Sequence, residues 1–109
     1  MNISPNLISL QKETLLNGVS TATTGSPHPV ERAKGWTYSI EATGSASVTV
    51  DIEAYVGASW YSIHQEIISG AGSFMIRDDE GHYEKLRAKT TSHSAGTVTV
   101  YATGTTNSL

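Results

Sequence analysis

Apolar and polar residues alternate along most of this chain with a period of two, the spacing of half-buried strands. In "GWTYSIEATG", Trp36, Tyr38, Ile40 and Ala42 share one face. Thr37, Ser39, Glu41 and Thr43 share the other. "ASVTVDIEAY" continues the pattern, with Val48, Val50, Ile52 and Ala54 inward and Thr49, Asp51, Glu53 and Tyr55 outward. Gly44-Ser45 between them predicts a turn, and a turn that short joins antiparallel strands. Gly57 predicts the next turn. "SWYSIHQEII" is a further strand, with Trp60, Ser62 and His64 on one face and Tyr61, Ile63, Gln65 and Ile67 on the other. Trp60 is expected to be buried, unless a bulge alters its facing.

The rest follows the same grammar. "SGAGS" predicts a loop, "FMIR" a short strand and "DDEGH" an acidic turn. "YEKLRAKTTS" sends Leu86 and Ala88 inward and Tyr83, Lys85, Arg87 and Lys89 outward. "HSAG" predicts another turn, and "TVTVYATG" points Val98, Val100 and Ala102 inward. Near the start, Asn17-Gly18 reads as a hairpin turn or as a bulge within one strand. "SPHPV" is a stiff extended connector, because Pro27 and Pro29 lack a donor and restrict the residue before them. Either of those peptide bonds could be cis. "MNISPNLISLQK" has no sustained period, and Pro5 discourages a helix. It reads as a frayed end with a short edge strand, or as an arm that docks on a neighbouring subunit.

These elements predict an all-β fold: an antiparallel β-sandwich or jelly-roll-like barrel of about seven or eight short strands with an extended N-terminal arm. The expected divisions are an arm over residues 1–12, a single domain over 13–104 and a tail over 105–109. A chain of 109 residues suits one domain with a modest core. Serine, threonine and glycine are abundant and charged residues make up only 16%, a composition that suits pleated strands and their turns.

Charge and candidate chemistry narrow the function. The net charge is −3 and the basic residues are scattered apart from Lys85, Arg87 and Lys89, so no nucleic-acid footprint is expected. No apolar run approaches the roughly 20 residues of a membrane helix. No secretory leader is expected either. There is no cysteine, which excludes disulfides and thiolate metal sites. His28, His64, His82 and His93 show no metal-ligand spacing. Asp78 to Glu84 gathers four carboxylates, but without the spacing of a calcium loop, so a solvated turn is expected ahead of a weak cation site. No nucleophile elbow or paired-carboxylate cleft is evident. The chain therefore reads as a non-enzyme without a cofactor.

The large rings are Trp36, Tyr38, Tyr55, Trp60, Tyr61, Tyr83 and Tyr101. Trp36 and Tyr38 follow the core face, whereas Tyr55 and Tyr101 fall on the outer face. If their strands neighbour each other, those two rings could form one exposed patch.

"KGWTYSIEATGSASVTVDIEAYVGASWYSIHQ" followed by "YEKLRAKTTSHSAGTVTVYATG" resembles small virion proteins of tailed bacteriophages. The resemblance spans Gly35 to Gly104. It rests on a W-T-x-x-I-x-x-T-G strand, a V-x-V-x-I-E strand, a later L-R-A-K strand and a Gly-Thr-Val-Thr-Val ending. Where such proteins carry an Asp-Gly turn before the tryptophan, this chain has "VGASW". The resemblance implies a structural virion protein, made in the bacterial host cytoplasm, that decorates or cements the head shell, or sits at a neck or tail. It implies the major capsid protein or other virion proteins as partners, and a homo-oligomer. Ile3, Leu7, Ile8 and Leu10 of the arm, with Tyr55, Tyr61 and Tyr101, are the residues expected to meet a partner. A carbohydrate-binding host-adhesion module is the alternative.

Overall fold

The computed structural model describes residues 8–30 and 33–107. Among them there is no helix. Six strands form one antiparallel sheet: β1 (Ile8–Val19), β2 (His28–Pro29), β3 (Lys34–Val56), β4 (Ser59–Ser69), β5 (Gly72–His82) and β6 (Lys85–Asn107). β3 and β6 pair side by side along almost their whole length. β1 and β2 pair with the other edge of β6, and β4 and β5 with the other edge of β3. Among the described residues, β1, β4 and β5 each have one paired edge only.

The expected seven or eight short strands are fewer and longer. Gly44-Ser45 does not turn the chain back. β3 runs straight through it for 23 residues, and β6 runs through "HSAG" for the same length. Both strands bulge at one level instead: the register jumps between Thr43 and Ser47, opposite Thr97 and Ala95. Gly44 and Gly96 take φ of 68° and 78° there, conformations open to glycine at little cost. A Cβ on Gly96 would sit 2.5 Å from the Thr43 carbonyl oxygen and 2.6 Å from the Ala46 Cα. The glycine is thus required by close approach as well as by backbone angle. A glycine–serine pair serves a bulge as readily as a turn, and the Gly57-Ala58 hairpin places β4, not the start of β3, beside residues 47–56.

The bend divides the sheet into two halves. One contains β1, β5 and the ends of β3 and β6 near Trp36 and Ala102. The other contains β2, β4 and the ends near Ile52 and Leu86. The expected inward residues of β3 and β6 are buried in both halves, and they form one cluster with Leu15, Leu16, Val30 and Ala33. A face of a single sheet cannot be fully buried unless something covers it. Here the sheet curls so that its own apolar surfaces meet: the Tyr38 ring lies 5.4 Å from that of His64, which belongs to the other half. The shortest dimension of the molecule is 19 Å, enough for two layers spaced about 10 Å apart. Gly104 lies flat against Trp36, since a Cβ there would come within 2.8 Å of the indole.

Other expectations resolve locally. Asn17-Gly18 lies inside β1, where the register shifts around Leu16 and Gly18 has φ of 60°, so the bulge reading holds. Among the described residues no peptide bond is cis. "DDEGH" is the end of β5, not a turn. Of the expected arm and tail, Ile8 to Leu10 pair with Asn107 to Thr105 in the sheet, and Gln11 and Lys12 pair with Gly104 and Thr103. Ile3 and Leu7 lie outside the described residues.

Candidate functional site

The outward residues fall on two faces, one per half. On the face of β3, β4 and β6 beyond the bend, Asp51, Glu53 and Tyr55 stand opposite Lys89, Arg87 and Lys85. The Arg87 Nε donates to Glu53 Oε1 at 2.7 Å, with both side chains mostly buried. Its guanidinium lies 4.0 Å over the Trp60 ring, and Trp60 meets Tyr55 edge-on at 5.3 Å. The Lys85 ammonium sits 5.1 Å over Tyr55. Cross-strand pairs and cation–π contacts of this kind stabilise a sheet surface. They also leave little unspent for a partner.

Trp60 is therefore not in the core, contrary to expectation. Ile63 is an extra residue in β4: Ile52 pairs with His64, but the neighbouring Glu53 pairs with Ser62. That bulge turns Trp60 outward while His64 stays inward. Tyr61, opposite the inward Ala54, emerges at the open end of the core and is 56% exposed. Asp51 also departs from expectation. It is nearly buried, because Gln65 and Ser62 of β4 donate to its Oδ1 at 2.9 and 3.3 Å.

The other face, over β1, β6, β3 and β5, is different. Its central row reads Thr14, Tyr101, Ser39 and Met75 across four strands. Small side chains around the Tyr101 ring leave a depression of about 360 Å³, lined by Lys12, Glu13, Thr14, Ser39, Tyr101 and Thr103. Tyr55 and Tyr101 belong to different halves, so they do not form one patch. Leu10 is exposed on this face, and Ile8 opens β1 opposite Asn107.

Two histidine–carboxylate contacts cross the seams where the halves are not joined by a strand ladder. Between β1 and β2, His28 Nδ1 and Glu13 Oε1 are 2.7 Å apart, and Gln11 donates both to Glu13 and to the Pro29 carbonyl at 3.0 Å. Burial alone would raise the Glu13 carboxyl, but the Gln11 and His28 contacts outweigh it and hold it below its ordinary value. Between β4 and β5, His64 Nε2 lies 3.4 Å from Asp78 Oδ2, and the Tyr83 hydroxyl donates to the same oxygen. Burial first, then this bond and the Asp78 charge, push the Tyr83 hydroxyl far above its ordinary range. The Tyr38 hydroxyl is buried nearby with no hydrogen-bond partner among the described residues, and burial followed by the neighbouring Tyr83 and Asp78 raises it too. These groups are spent on closing the molecule. Among the described residues no three histidine or carboxylate side chains converge to hold a metal ion.

No family model matches the sequence, and neither does any curated protein. Solved structures do match the fold. The SPBc2 prophage-derived protein YomS superposes with a TM-score of 0.72 at 12% identity, covering 96% of this chain and 100% of its own. A chain from Bacillus endospore appendages, which form a novel family of disulfide-linked pili, superposes with a TM-score of 0.59, also at 12% identity. It covers 100% of this chain and 99% of its own. At that identity the likeness is one of fold.

Proposed function

We propose that this chain is a non-enzymatic structural subunit of a phage-type assembly, its curled sheet a sandwich-like brick. Its finer role is decoration of a head shell. Its partners are then the major capsid protein, other virion proteins or further copies of itself. One observation carries the reading: the strands with a free edge also bear exposed apolar side chains. Leu10 on β1 is 63% exposed, Tyr61 and Ile67 on β4 are 56% and 74%, and Met75 on β5 is 68%. Free edges are ordinarily blunted by charge, proline or a cover, since their unpaired amides template further pairing. Edges left apolar favour strand addition by a neighbour. Many such weak contacts, repeated over a lattice, hold an assembly firmly without one strong site. The likeness to a prophage-derived protein and to pilus-forming appendages supports an assembling role. With no cysteine, this chain would assemble without disulfide links.

The test is molar mass by light scattering over a wide concentration range, alone and with assembled shells. The native chain is expected to grow in mass or to bind shells stoichiometrically. Ile67→Lys with Met75→Lys is expected to stay monomeric and unbound while keeping its melting temperature. A native chain that remains monomeric at every concentration and ignores shells would refute the reading.

A further inference from the structure

We infer that the depression around Tyr101 is a binding site for a neutral sugar. The ring is 43% exposed, and among the described residues no cation or second ring stacks on it. Trp60 and Tyr55, by contrast, are capped by Arg87 and Lys85. The polar groups around Tyr101 are equally unspent. The side chains of Lys12, Thr14, Ser39 and Thr103 make no hydrogen bond to another described residue. Hydroxyls elsewhere on the same sheet are engaged: Thr43 with Thr97, Ser73 with Glu41, and Thr99 with the Gly18 amide.

A bare aromatic face bordered by three free hydroxyls and one ammonium matches a pyranose. Such a ring offers an apolar C–H face for stacking and a rim of hydroxyls that donate and accept. Among the lining residues the one charge turned into the site is the Lys12 ammonium, a point donor that a sugar hydroxyl can accept from, because Glu13 alternates with Lys12 along β1 and its carboxylate lies on the opposite side, against Gln11 and His28. Both Glu13 oxygens are already taken by Gln11 and His28, so the carboxylate is not free to act as a base, and the site binds without cleaving. Its 360 Å³ lies near the lower end of the roughly 300–1,000 Å³ of ligand pockets, which suits one or two sugar units. This reading stands apart from the assembly role and uses a face rather than an edge.

Saturation-transfer NMR on the full chain, with the methyl pyranosides of glucose, galactose and N-acetylglucosamine as probes, tests it. At least one is expected to bind with a dissociation constant of about 1 mM, typical of a shallow single site worth about −4 kcal/mol. Transfer should be strongest at the sugar's axial C–H protons, and amide shifts should cluster at Thr14, Ser39 and Tyr101. Tyr101→Ala should weaken binding at least about tenfold, Tyr101→Phe should preserve most of it, and Ser39→Leu, which fills the floor, should remove it. Failure of all three sugars to bind would overturn the proposal. So would binding that is unchanged in Tyr101→Ala. If Tyr101→Ala instead breaks an oligomer and no sugar binds, the face is a protein interface, and the sugar site is refuted while the assembly role stands.

Discussion

The two outer faces of this sheet are built from the same two long strands and differ in what they leave free. Beyond the bend, acidic residues of β3 meet basic residues of β6, and the rings of Trp60 and Tyr55 are stacked by cations of the same molecule. Before the bend, the same strands carry threonine, serine and Tyr101, and the ring stands uncovered. One face spends its interactions on its own stability. The other keeps them available. In a small domain with a modest core, this division lets part of the surface hold the fold while the rest meets partners.

The comparison depends first on the bend that makes two faces. Gly96→Val forces a positive φ onto a branched residue and drives its Cβ into Thr43 and Ala46. A loss of about 3 kcal/mol or more is expected, with failure to fold as the extreme outcome. Thermal unfolding followed by circular dichroism measures it. A variant as stable as the parent would mean that the strands do not bulge there.

Substitutions on the faces sharpen the contrast next. Arg87→Ala strands a mostly buried Glu53 carboxylate and uncaps Trp60, so a loss of about 2 kcal/mol is expected. Tyr101→Ala should stay within about 0.5 kcal/mol of the parent, as surface changes away from a network do. Urea titration of both variants decides. Equal losses would erase the distinction between the faces.

The smallest expected effect concerns the seams. Glu13 is held below its ordinary value of 4.5 in the folded chain, so folding favours its ionised form. That contribution is present above the unfolded value and is lost as pH falls through the folded one. Tyr38 and Tyr83 are raised above their ordinary 10.0, so folding favours their neutral forms. Their contribution is whole below that value and is lost as pH climbs past it. Melting temperature against pH should fall at both ends. Glu13→Gln should flatten the acid limb and Tyr38→Phe the alkaline one. Unchanged limbs would remove the seams from the account.

Much of the core is legible in the chain itself. The run from Trp36 to Ala54 and the run from Val98 to Ala102 point inward as their alternation predicts, because strand parity is a local property. What the parity cannot carry is the choice of partner. Gly44-Ser45 satisfies a turn and a bulge equally, and only the pairing with β6 selects the bulge. Trp60 faces outward because one extra residue, Ile63, enters β4 just beyond it. Asp51 is covered by Ser62 and Gln65, which arrive from another strand. The outward place of Tyr101 is readable. The depression beside it is not, since it forms only where small residues of three strands lie side by side.

The central claim is that the free apolar edges are where this protein meets its neighbours. Amide hydrogen exchange, compared between dilute protein and the concentrated or shell-bound form, tests it most directly. Slowed exchange confined to amides of the edge strands β1, β4 and β5 is the predicted result. Assembly that leaves the edge amides exchanging at their dilute rate would contradict it.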